Sequence, residues 1–152
     1  MLRRNVKLDF PPRRCYLIIN KFLGKGADSM TRRELIDLCL TWPGSYEDYP
    51  FDGIPNSGAE GDSWAVIRHR GNKKSFALVY ERGGLCVNLK CEPMRADFLR
   101  GAFPGGVTPA YHMNKEHWNT VRPDLVPPED LEAMIDRSFE LTRPKARKKA
   151  IV

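Results

Sequence analysis

From Met30 onward the hydrophobic positions fall into two periods. Leu35, Ile36, Leu38 and Cys39 recur as one face of a helix. Thr31-Arg32-Arg33-Glu34 opens that helix as a capping box: the Thr hydroxyl meets an orphan N–H and Glu34 reaches back to the cap. Trp42-Pro43-Gly44 stops it. After EDYPFD (47–52) and the polar, Gly-rich loop IPNSGAEGD, the period shortens to that of strands. Three segments follow: Trp64 to Arg70, Ser75 to Tyr80, and Leu85 to Lys90. Gly71-Asn72-Lys73 and Arg82-Gly83-Gly84 join them with hairpin chemistry. In the third segment Leu85, Val87 and Leu89 share one side and Cys86, Asn88 and Lys90 the other, the pattern of a sheet covered on one face.

A second helix starts at Glu92-Pro93, since proline suits the first helical position. Met94 and Phe98 lie on one face at i, i+4, and Gly101 is placed to end it. Two short extended segments, Val107 to His112 and His117 to Arg122, flank Met113-Asn114-Lys115-Glu116. The last helix opens on Pro127-Pro128-Glu129-Asp130, where acids suit the dipole. Leu131, Met134, Ile135, Ser138 and Phe139 form its inner stripe, and Arg143-Pro144 ends it. The order is α-β-β-β-α-β-β-α. Short connectors imply antiparallel pairing. The predicted fold is α+β in two layers: a five-stranded antiparallel sheet with helices on one face, the other face partly open.

The chain has 152 residues, 41% hydrophobic and 29% charged, the size of one domain with its own core. No apolar run approaches the ~20 residues of a bilayer span. Cys15-Tyr16-Leu17-Ile18-Ile19 is also too short for a secretory signal, so a cytoplasmic protein with no membrane segment is expected. Cys15, Cys39, Cys86 and Cys91 form no CxxC and no zinc pattern; they read as buried thiols, with Cys86 and Cys91 on opposite faces. Residues 1–29 lack a period beyond YLII. Either Met30 is the natural start and residues 1–29 are an upstream, non-native extension, or they form a genuine flexible or docking arm. The division is then an N-terminal extension (1–29), a domain (30–143) and a basic tail (144–152).

Charge sharpens this picture. The net +6 is uneven: residues 1–29 and 143–152 contribute +5 each, leaving −4 for residues 30–142. A basic pI therefore does not argue for nucleic acid binding by the core. Within residues 67–90, however, Arg68, Arg70, Lys73, Lys74, Arg82 and Lys90 face a single acid, Glu81. That is +5 in a core whose remainder is −9. Such a hairpin fits a phosphate backbone or groove; equally, charge protects an exposed sheet edge. The tail Lys145 to Lys149 either adds nonspecific phosphate contacts or serves as a soluble terminus.

Catalytic motifs are missing: no GxSxG, Walker loop, GxGxxG or HExxH occurs. His112 and His117 flank one turn, but only Glu116 stands beside them as a further metal ligand. No nucleophile partners Asn114, Lys115 or His117 for acid–base work. A non-enzyme with no cofactor and no metal is expected. In HMNKEHW (112–118), Trp118 suits the core and Asn114-Lys115 suits a turn, while a surface role stays open for His112, Asn114 and Lys115. Trp64, Phe76 and Tyr80 read as core, and no aromatic cluster for stacking single-stranded bases stands out.

EDYPF (47–51), Lys74 with Phe76-Ala77, VNLKCEP (87–93), AYHMNKEHWNTV (110–121) and IDRSFEL (135–141) together resemble the MmcQ/YjbR family, from about Met30 to about Lys148. HMNKEHWNTV is the most specific part. The resemblance implies a CyaY-like fold, named after the bacterial frataxin homologues, and a bacterial DNA-binding protein that uses two β-hairpin wings. It implies no catalytic residues. The first helix has Glu34 and Asp37 but no acidic ridge, so iron binding by the frataxin analogy is not expected. The expected nucleic-acid contacts are Arg68, Arg70, Lys73 and Lys74, with Lys90, Asn114 and Lys115 beside them, touching DNA phosphate with little base specificity. The alternative is a protein- or small-ligand-binding module whose pocket is formed by His112, His117 and Trp118 beside the HMNKEHW turn.

Overall fold

The structure, a computed structural model, describes residues 29–53 and 64–145. The readings made for residues 1–28, for Cys15, for the loop 54–63 and for the tail beyond Lys145 lie outside the described residues. Helix α1 spans Arg32–Cys39. The predicted capping box forms: Thr31 Oγ1 accepts from Glu34 N at 3.1 Å, and Glu34 Oε1 accepts from Thr31 N at 2.9 Å. The strands are β1 (Ser45–Asp48), β2 (Ala65–His69), β3 (Ser75–Glu81), β4 (Leu85–Lys90), β5 (Val107–Pro109) and β6 (Trp118–Val121). Helix α2 (Pro93–Ala102) lies between β4 and β5, and α3 (Pro128–Thr142) closes the fold after a short 3-10 turn at Pro123–Leu125.

The sheet has six strands rather than five, all antiparallel, in the order β1-β2-β3-β4-β6-β5. The added strand is β1, which pairs with β2 from Ser45–His69 to Asp48–Val66. Its four residues SYED are all half-buried, so no alternation marks it in the sequence. The Arg33 guanidinium ties α1 to this edge with two bonds to Glu47, at 2.8 and 3.1 Å. Arg33 and the Tyr49 hydroxyl hold the Glu47 carboxyl below its ordinary pKa against the effect of burial.

All three helices cover one face. Leu35 and Leu38 from α1, Ala96 and Leu99 from α2, and Leu131 and Ile135 from α3 join Ile67, Val79, Val87 and Val121 of the sheet in one core. The inner stripe predicted for α3 is buried throughout. In α2 the shared face of Met94 and Phe98 is real but points outward, with 88% and 67% exposure. An i, i+4 pair says that two side chains share a face, not which way the face turns. The small Ala96 and Leu99 meet the core instead.

A bulge locks β3 to α3. Ile67 faces Ala77 whereas Arg68 faces Ser75, so Phe76 is the extra residue. Its ring packs 5.1 Å from that of Phe139. Its carbonyl accepts from Ser138 Oγ at 2.6 Å, and the same hydroxyl accepts from Lys90 N at 2.9 Å. One serine thus satisfies backbone groups on two strands.

The second face is not open. Trp64, Val66, Leu78, Tyr80 and Cys86 form a smaller core there, with Tyr111, Met113 and Trp118 partly buried against it. The chain after β5 crosses this face and is fastened to it: Thr120 Oγ1 accepts from Tyr111 N, and Asn88 Nδ2 donates to Tyr111 O, both at 3.0 Å. Asn88, placed by alternation on an exposed face, is fully buried. Cys39, Cys86 and Cys91 are buried thiols, with Cys86 and Cys91 in different cores.

Candidate nucleic-acid interface

The β2–β3 turn is clasped to the end of α3. His69, which ends β2, is 2% exposed, and its Nε2 lies 2.8 Å from Thr142 Oγ1. Its ring sits between Phe76 and Phe139, at 5.0 and 4.6 Å. Burial, helped by nearby Arg143, pushes its pKa down, so the imidazole is neutral at neutral pH. Asn72 Nδ2 donates to Thr142 O at 2.9 Å, a contact between residues 70 positions apart. Gly71 is pressed so close that a Cβ there would stand 2.7 Å from Pro144 Cγ. Lys73 closes the turn at φ 62, donating its N–H to His69 O at 2.8 Å, while Asn72 Oδ1 accepts from Lys74 N. The result is one edge around which Arg70, Lys73, Lys74, Arg143 and Lys145 are all exposed. Arg143 is engaged by Glu140 at 2.8 Å. In sequence the hairpin and the tail stand apart; nothing local in either segment signals that the fold joins them.

The predicted contacts do not all belong to this edge. Arg68 Nε is held by Asp48 Oδ2 at 2.8 Å, and its Nη1 donates to Lys73 O at 3.0 Å. The Arg70 guanidinium lies 5.5 Å from the centroid of the Tyr46 ring. Lys90 is half-buried and opposite Trp118 in the β4–β6 pair. Asn114 is a turn former: Oδ1 accepts from Glu116 N at 2.8 Å, and its carbonyl accepts from His117 N and Trp118 N. Lys115 is exposed, and its carbonyl accepts from Arg100. His117 uses its carbonyl to hold Cys91 N at 2.8 Å.

On the second face the structure assembles what the sequence pattern did not reveal, an aromatic cluster. Trp64 stacks on Tyr80 at 4.0 Å and 26°. Tyr111 lies 6.2 Å from Tyr80, and its ring is 4.2 Å from that of His112. The Arg82 guanidinium caps Tyr111 at 3.9 Å. Below, the Tyr80 hydroxyl donates to Asn88 Oδ1 at 2.9 Å and meets Thr120 Oγ1 at 3.0 Å. Thr120 Oγ1 also donates to Asn88 Oδ1 at 2.6 Å. Burial pushes the Tyr80 hydroxyl up to about 12 despite the bond to Thr120. Trp118 is half-buried beside this cluster, and His112 is exposed on top of it. A cavity under α2 and α3 is lined by Leu89, Cys91, Leu99 and Met134; it does not involve His112, His117 or Trp118. Among the described residues no group of three or more His, Cys, Asp or Glu side chains could hold a metal ion. No described helix is long and apolar enough to cross a membrane.

The YjbR family model matches residues 40–141, from the end of α1 to the last turn of α3. This span includes both hairpin turns and the whole HMNKEHW loop. The chain belongs to the YjbR family. Its YjbR-family relatives include the uncharacterized protein YyaQ of Bacillus subtilis (strain 168), 32% identical over 126 residues that cover 75% of this chain and 99% of YyaQ. They also include the uncharacterized protein YjbR of Escherichia coli (strain K12), 29% identical over 73% of this chain and 86% of that protein. Among solved structures, the Deinococcus radiodurans protein DR2400 matches with a TM-score of 0.63 and 32% identity, covering 78% of this chain and 83% of that one. A Pseudomonas syringae protein matches with a TM-score of 0.62 and 32% identity, covering 75% of this chain and all of that one.

Proposed function

We propose that this YjbR-family domain is a non-catalytic DNA-binding module that seats phosphates on the edge shared by the β2–β3 turn and the end of α3. The observation that carries this reading is the clasp of Asn72 on Thr142 O, with Gly71 against Pro144. It gathers Arg70, Lys73, Lys74, Arg143 and Lys145 where the rest of the core is acidic. Exposed cations on a rigid turn release counterions from a phosphate backbone. The acidic remainder turns other faces away from it, which sets orientation. The edge offers ammonium and guanidinium groups rather than a shaped donor–acceptor pattern, so base specificity is low. Arg68, neutralised by Asp48, contributes less than its place in the sequence suggests.

A salt series of duplex binding tests this. The Arg70→Ala/Lys73→Ala/Lys74→Ala protein should bind more weakly. Its slope of log affinity against log salt should shrink by about 0.9 for each phosphate that is no longer neutralised. An unchanged slope and affinity would remove the edge from the interface. Glu140→Gln, which releases Arg143, should strengthen binding.

A further inference from the structure

We propose that Tyr111, His112 and Arg82 form a ledge that stacks one unpaired base of the same nucleic acid, so that the domain prefers single-stranded or opened DNA to an intact duplex. The inference rests on the phosphate-edge reading above and adds a second contact to it.

The ledge is built from below. The backbone of Tyr111 is engaged on both sides by buried side chains, Thr120 accepting from its N–H and Asn88 donating to its carbonyl. These two side chains are themselves locked to the Tyr80 hydroxyl. Trp64 and Tyr80 supply a buried, stacked floor. The loop therefore presents its outward side chains in a fixed arrangement rather than a mobile one.

His112 stands at φ 62, where a Cβ is sterically costly and glycine is favoured. Its imidazole is exposed, lies against Tyr111 at 4.2 Å, and makes no hydrogen bond among the described residues. An exposed planar ring held in an unfavourable backbone conformation, with no structural bond to justify it, points to a contact outside the domain.

Arg82 supplies the third part. Its guanidinium lies near the face of the Tyr111 ring at 3.9 Å, it is exposed, and it forms no ion pair among the described residues. The carbonyls of Arg82 and Gly83 accept from the Arg122 guanidinium at 3.0 and 3.2 Å, which fixes the turn that carries it. A guanidinium stacked on a ring leaves one planar face for a base and N–H groups for an adjoining phosphate. The Arg82 guanidinium gives the ledge a positive charge, which suits an anionic chain rather than a cationic aromatic ligand. Alternation places Lys90 on the same sheet face as Asn88 and Cys86, so a cation shares the face with the ledge.

The experiment uses the full chain and three labelled oligonucleotides of equal length: oligo-dT, a fully abasic strand, and a duplex. Anisotropy at one moderate salt concentration should show oligo-dT binding about tenfold tighter than the abasic strand of equal charge. Arg82→Lys and His112→Ala should each bring oligo-dT to within about twofold of the abasic strand, leaving abasic binding unchanged. Arg82→Lys keeps the charge and removes the plane, so it separates stacking from electrostatics. The Lys73→Ala/Lys74→Ala protein should weaken all three ligands alike. Equal binding of oligo-dT and abasic strands by the parent protein would overturn the ledge and leave the phosphate edge standing. An equal drop on both strands in Arg82→Lys would also overturn it. Binding to none of the three at low salt would overturn both.

Discussion

Arg68 Nε and Asp48 Oδ2 meet at 2.8 Å across the β1–β2 pair, on strands 20 positions apart in sequence. The pair neutralises the arginine that a charge count places first in the basic hairpin. With side chains 24% and 40% exposed, it is worth no more than about 1 kcal/mol to stability. Asp48→Ala should therefore lower the melting temperature by only a few degrees, while raising duplex affinity by releasing a cation. Arg68→Ala should cost less affinity than Lys73→Ala. Thermal melts beside anisotropy titrations check both; a drop in affinity in Asp48→Ala would contradict the neutralised role given to Arg68.

Lys73 is exposed and closes its turn with a backbone bond at φ 62. Glycine would relieve roughly 1–2 kcal/mol of strain and would give back roughly 0.5–1 kcal/mol in chain entropy. Lys73→Gly should thus melt slightly higher than the parent and bind DNA less well. A variant that is more stable yet binds more weakly separates the role of the lysine from the architecture of the turn.

Asn88 carries more structural weight than any single residue of the basic edge. Its side chain satisfies the Tyr80 hydroxyl, Thr120 Oγ1 and the Tyr111 carbonyl. Asn88→Ala leaves the Tyr111 carbonyl without its side-chain donor and the Tyr80 and Thr120 hydroxyls without their shared acceptor, at about 3 kcal/mol, or a fall of roughly 6–12 °C in melting temperature. Tyr80→Phe, which removes one hydroxyl, should cost about 1 kcal/mol. The two measured by denaturant titration should rank in that order.

Glu132 on α3 is 9% exposed, and its Oε2 has no hydrogen-bond partner among the described residues. Burial first, and the Asp136 carboxylate second, raise its pKa above the ordinary 4.5. A raised carboxyl pKa favours the protonated form in the folded state. Its contribution is fully present below the ordinary value and is lost as pH climbs through the folded one. Glu132→Gln should accordingly raise the melting temperature at neutral pH and make little difference well below pH 4.5. An equal gain at both pH values would show that charge is not the cause.

The sequence is most legible where a signal is local. The capping box of Thr31 and Glu34 is set by four adjacent residues, and the stripe of α3 by a period that survives any neighbour. The two hairpin turns announce themselves through Gly71-Asn72 and Gly83-Gly84. Strand β1 escapes because four half-buried residues at a sheet edge show no period. The outward turn of Met94 and Phe98 escapes because their spacing has no sign. The second core escapes for a different reason. Trp64, Tyr80 and Tyr111 come from three separate segments, and each looks like ordinary core until the chain after β5 is laid across the sheet. The Asn72–Thr142 contact is likewise visible only in space. The resemblance to the YjbR family identified the domain, yet the joined edge and the aromatic ledge come from geometry.

The end of a last helix is normally where a domain begins to fray. Here the final carbonyl of α3 is gripped by a side chain from a turn in the first half of the chain, and its final hydroxyl by a buried imidazole. Any load taken up at Arg143 is therefore delivered straight to the centre of the sheet instead of peeling away one helical turn. The end of α3 is a handle bolted to the frame: a pull on it is a pull on the whole domain.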